Sequence, residues 1–81
     1  LSAYPNPFID KITIQFNIST SSNIDVLVYD LSGKFVKQQT FGFLAKGLYD
    51  KQIDLGDLAS GAYKLVIKNN SVIIERTIEK F

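Results

Sequence analysis

Lys11-Ile12-Thr13-Ile14-Gln15-Phe16-Asn17-Ile18 alternates polar and apolar residues without a break. Side chains two apart on a strand point to the same face, so Ile12, Ile14, Phe16 and Ile18 share one apolar face. Ser19-Thr20-Ser21-Ser22-Asn23 then reads as a polar turn. Ile24 to Tyr29 follows as a strand whose second half is apolar on both faces, as befits a central strand. In Asp30-Leu31-Ser32-Gly33 the aspartate caps its own backbone and Gly33 takes positive φ.

The rest of the chain repeats this grammar. Lys34 to Phe41 is a weaker strand, and Gly42 and Gly47 punctuate a loop around Phe43-Leu44. Leu48 to Leu55 alternates, with Tyr49, Lys51, Ile53 and Leu55 on one side. The lysine among them marks a sheet edge. Gly56 to Gly61 is a compact turn anchored by Leu58. Tyr63 to Ile67 and Val72 to Ile74 flank Asn69-Asn70, which is suited to a hairpin turn. With Lys68 facing Ser71, Ile67 lies opposite Val72, Leu65 opposite Ile74, Lys64 opposite Glu75 and Tyr63 opposite Arg76.

No window has a helical period, and no internal repeat is seen. The pattern predicts an all-β fold, an immunoglobulin-like antiparallel sandwich of about six to seven strands. The expected core is Ile12, Ile14, Phe16, Val26, Val28, Ile53, Leu58, Leu65 and Ile67.

Composition narrows the function. Eighty-one residues make one domain, 1–81, with little surface to bury. A net charge of +1 gives no field for nucleic acid or an anionic membrane. There is no cysteine, so no disulfide or thiolate site, and no histidine to act as a base near neutral pH. Asp25, Asp30, Asp50, Asp54, Asp57, Glu75 and Glu79 are scattered over separate elements, unlike the facing pair of a glycosidase. Asp54 and Asp57 lack the acidic spacing of a calcium loop and read as turn caps. Ser60 has no activating partner. The reading is a non-enzyme without cofactor or metal. Among the aromatics, Phe41 and Phe43 are the two expected to be exposed. The chain starts at Leu1 and has no methionine, which reads as a piece of a longer precursor.

Tyr4-Pro5-Asn6-Pro7-Phe8 opens the chain. Each proline fixes its own φ and moves the residue before it out of the helical region, so residues 1–8 read as a stiff, extended lead-in.

Taken in order, several segments resemble the C-terminal sorting domain of type A cargo proteins of the bacterial type IX (Por) secretion system. They are Tyr4-Pro5-Asn6-Pro7-Phe8, Val28 to Lys34, Gly47 before the Tyr49 strand, Leu58-Ala59-Ser60-Gly61-Ala62-Tyr63, and the closing Lys80-Phe81. The resemblance implies a recognition motif of Pro5, Asn6, Pro7, Asp30, Gly33, Lys34, Gly47, Leu58, Gly61, Tyr63 and Lys80. It implies a cargo domain N-terminal to this segment, transit through the periplasm, and export to the cell surface or medium. The implied partners are the outer-membrane translocon, its shuttle proteins and a sortase-like peptidase that removes the domain. The rival expectation is an immunoglobulin-like stalk or adhesion module that binds a glycan or a protein.

Overall fold

The computed structural model describes residues 2–69 and 72–81. Seven strands follow in order: β1 (Ser2–Tyr4), β2 (Lys11–Ile18), β3 (Ser22–Asp30), β4 (Phe35–Leu44), β5 (Gly47–Asp54), β6 (Gly61–Asn69) and β7 (Val72–Lys80). They form two antiparallel sheets, ordered β1-β2-β5 and β4-β3-β6-β7. The expected β-sandwich is what the chain forms, and no helix occurs among the described residues.

The alternation in β2 does what its period requires. Ile12, Ile14, Phe16 and Ile18 are all buried, and with Ile53 and Leu55 they make one wall of the core. Ile24, Val26, Val28, Tyr63, Leu65, Ile67 and Ile78 make the other. Each such side chain contributes roughly 1.5–3 kcal/mol by leaving water. Leu58 is only partly buried, packed against the edge of this core. Phe8 is fully buried although no periodicity marks it.

Edge strands carry charges on their inner faces. Lys37 of β4 pairs with Val28, Lys51 of β5 with Ile14, and Arg76 of β7 with Leu65. Residues directly opposite share a face, so all three charges point toward the core side, a common guard against edge-to-edge association. The Lys51 ammonium lies 5.7 Å from the Phe41 ring centroid and 5.5 Å from that of Tyr49. Lys51 is partly buried, and its charge rests on aromatic faces.

Three expectations need correction. Phe41 and Phe43 are not in a loop, because β4 runs on through both. Phe43 is exposed as expected, but Phe41 is the extra residue of a bulge opposite Ile24 and Asp25 and turns onto the core. The last hairpin is shifted: Asn69 pairs with Val72, Ile67 with Ile74, Leu65 with Arg76 and Tyr63 with Ile78. Asn69 therefore ends β6, and Asn70 of the expected turn lies outside the described residues. Lys64 and Glu75 still meet, diagonally, at 4.0 Å. Finally, one short motif does occur twice. Leu44-Ala45-Lys46-Gly47-Leu48-Tyr49 and Leu58-Ala59-Ser60-Gly61-Ala62-Tyr63 share leucine, alanine, glycine and tyrosine at the same offsets. Each glycine has positive φ, 154° at Gly47 and 146° at Gly61. Each tyrosine hydroxyl donates to the alanine carbonyl four residues upstream, Tyr49 to Ala45 at 2.7 Å and Tyr63 to Ala59 at 2.5 Å.

Candidate recognition pole

Antiparallel strands give the sandwich two ends, and the topology sorts the motif between them. β1, β3, β5 and β7 finish at the end where β2, β4 and β6 begin. That pole gathers the residues after Tyr4, the Asp30–Lys34 turn, the Asp54–Gly61 turn and Lys80. Pro5, Asn6, Pro7, Asp30, Gly33, Lys34, Leu58, Gly61, Tyr63 and Lys80 therefore lie together at one end. Gly47 alone lies at the other, in the first copy of the repeated motif.

At this pole the start of the chain is tied to its last strand. The Asn6 side-chain carbonyl accepts the Glu79 N–H at 2.9 Å, and its amide donates to the Thr77 carbonyl at 3.4 Å. The Phe8 N–H donates to the Glu79 carbonyl at 2.9 Å, and Phe81 N–H to the Phe8 carbonyl at 3.0 Å. Phe8 and Lys80 thus form a parallel bridge. Both prolines of the segment follow cis peptide bonds. The Asn6 side chain takes the place of a backbone amide along β7.

The Asp30 turn is built as its residues dictate. Asp30 Oδ1 accepts from Ser32 N–H at 3.0 Å, the Ser32 hydroxyl at 2.6 Å and Lys34 N–H at 2.9 Å. Gly33, at φ 90°, donates to the Asp30 carbonyl. The Ser32 hydroxyl and then the Lys34 N–H hold the Asp30 carboxyl below its ordinary pKa. In the next turn Asp54 caps Gly56 N–H at 3.0 Å, the turn role expected of it. Asp57 pairs with Lys37 at 3.0 Å, and that hydrogen bond lowers its pKa.

Two clefts border the pole. One, of about 480 Å³, is lined by Asp10, Lys11, Lys37, Asp54, Gly56 and Asp57. The other, of about 420 Å³, lies between the Asp30–Gly33 turn and Val66, Lys64 and Glu75. Among the described residues no group of acidic side chains is placed to hold a metal ion. Among them, too, no helix is long and apolar enough to cross a membrane.

Several motif residues are committed internally, while Pro5, Pro7 and Lys34 are exposed. Asn6 ties β7, Asp30 caps its turn, Tyr63 is buried with its hydroxyl bonded, and the glycines hold positive φ. Their neighbours point outward as well. Tyr4, Ile9, Leu31, Phe35 and Phe81 are large, apolar and exposed, and all five lie at this pole. Sequence reading missed them as a group because a single exposed apolar residue carries no periodic signal. It also passed over Asp10.

No curated protein matches the chain. The family model described as the secretion system C-terminal sorting domain matches residues 2–80. The match runs from the first described strand to the strand that Asn6 ties down, and the chain belongs to that family, the C-terminal sorting domains of type IX secretion.

Proposed function

We propose that this domain is the non-catalytic address of a larger cargo protein. The family supports a sorting signal for export across the outer membrane by type IX secretion. In the finer reading, the cargo passes through the periplasm with the domain folded. Shuttle proteins and the outer-membrane translocon bind it, and a sortase-like peptidase then removes it. The unit that acts is the single domain, residues 1–81. Its motif residues work by shaping the pole, and the exposed apolar neighbours make the contacts.

The observation that supports this reading is the convergence of ten of the eleven motif residues on one pole, with Asn6, Asp30 and Tyr63 held by internal hydrogen bonds. Fixed turns present exposed side chains at low entropic cost, the condition for a reproducible docking surface. No histidine or cysteine is present, and the carboxylates are engaged in turns or spread apart, which supports a role without chemistry of its own.

The test is a fluorescent protein carrying this domain and its native upstream linker. It is expected at the surface or in the medium of a host with a working type IX translocon. Equal export in a translocon-deficient host, or none in a competent one, overturns the reading.

A further inference from the structure

We propose that the outer edge of β7, from Thr77 to Phe81, is a docking edge for an extended segment of a receiving protein, and that Asn6-Pro7-Phe8 is the placeholder that covers it until then. The proposal rests on the sorting role and names the surface and the kind of partner.

The hydrogen-bond pattern carries the argument. In an antiparallel pair the N–H and C=O of alternate residues point to the same side. Thr77 O, Glu79 N, Glu79 O and Phe81 N are all bonded to Asn6 or Phe8. These groups therefore face away from β6, along the outer edge. Farther up the same edge the Arg76 guanidinium donates to the Glu75 carbonyl at 2.9 Å. Five of the outward groups between Glu75 and Phe81 are thus covered by parts of the chain itself, one way in which exposed edges are blunted.

The closure at Thr77–Phe81 is a poor copy of a strand. Only Phe8 bonds with its backbone, and Asn6, the next residue to face β7, substitutes its side chain. Pro5, Asn6 and Pro7 are all exposed, while Phe8 is fully buried and anchors the segment. Pro5, Asn6 and Pro7 can therefore lift away from β7 without uncovering core. What fits the vacated edge is defined by what leaves it. It is an extended backbone running parallel to β7, in the direction of the Phe8–Lys80 bridge, with a backbone N–H and C=O where Asn6 offers only its side chain. That specifies a strand of a β-structured protein in the export machinery.

The experiment uses the full fusion in a competent host, with cysteines placed in a chain that has none. In Asn6→Cys/Glu79→Cys an oxidised bridge locks the segment onto β7. Locked fusion is expected to be exported at least about tenfold more slowly than parent, with the rate restored by reductant. Asn6→Ala is the opposite variant. Its Glu79 amide should exchange with deuterium about tenfold faster, for the lost hydrogen bonds. Export of the locked fusion at the parental rate overturns the proposal, as does an unchanged Glu79 exchange rate in Asn6→Ala. Concentration-dependent dimers of Asn6→Ala would assign the edge to a second copy and overturn the partner named here. Failure of the parent fusion itself to be exported refutes the sorting role instead, so the two failures are distinct.

Discussion

Tyr49 and Tyr63 make the same hydrogen bond at opposite ends of the sandwich, each closing a turn onto the alanine carbonyl four residues back. One lies at the candidate recognition pole and one does not, so the Leu-Ala-x-Gly-x-Tyr repeat is a device for turning corners before it is anything else. Tyr63 is the more buried of the two. Tyr63→Phe should lower stability by about 1 kcal/mol in urea unfolding and Tyr49→Phe by less. The double variant should show the sum, since the sites are far apart and share no partner. A strongly non-additive result would refute independent corners.

Asp30 sets a pH dependence. Its carboxyl is held below the ordinary value of about 3.9, first by the Ser32 hydroxyl and then by the Lys34 N–H. A carboxylate favoured by folding stabilises above its unfolded pKa, and the benefit goes as pH falls through the folded one. Stability should therefore decline from about pH 4 downward, with Asp57 acting in the same direction through Lys37. Asp30→Asn should be less stable at neutral pH and should show a shallower acid decline. A variant that parallels the parent at every pH contradicts this account.

The hairpin register predicts which isoleucines matter. Ile78 lies opposite Tyr63 and is fully buried, whereas Ile74, opposite Ile67, is half-buried. Ile78→Ala should cost roughly 2–4 kcal/mol and Ile74→Ala clearly less. Equal losses in denaturant midpoints would count against this register.

What sequence alone revealed follows the range of the forces involved. The buried row Ile12 to Ile18 is legible because strand periodicity is local, and so is the Asp30–Gly33 turn, where each donor lies within four residues of the carboxylate. The last hairpin was not fixed by the same reasoning. Asn69, Asn70 and Ser71 all suit a turn, and moving it one residue changes each partner by two. That keeps every side chain on its own face, so the apolar pattern cannot tell the two registers apart. Phe8 and the Asn6–Glu79 contact were beyond reach because they join the two ends of the chain, 73 positions apart. No local pattern encodes such a pairing. The repeated leucine–alanine–glycine–tyrosine motif was legible in principle, but its copies differ at the intervening positions and the structure made them comparable.

The separation of scaffold from contact residues yields the sharpest functional prediction. Deleting Thr77 to Phe81 is a blunt test, because it removes the buried Ile78 and the strand to which Asn6 and Phe8 are tied. Loss of export would then report unfolding as readily as lost recognition. Exposed apolar residues avoid that ambiguity. Ile9 is 65% exposed and Leu31 66%, at the pole that carries the motif. Phe43, at 67%, and Leu48, at 69%, lie at the opposite end and serve as matched controls. Surface changes of this kind alter stability by about 0.5 kcal/mol or less, so all four variants should melt with the parent. Ile9→Ser with Leu31→Ser is expected to slow export of a fused fluorescent protein by about tenfold, the loss of one modest interface anchor. Phe43→Ser with Leu48→Ser should be exported at the parental rate. If the two pairs behave alike, or the control pair is the one that fails, the recognised surface is not the pole where the motif converges.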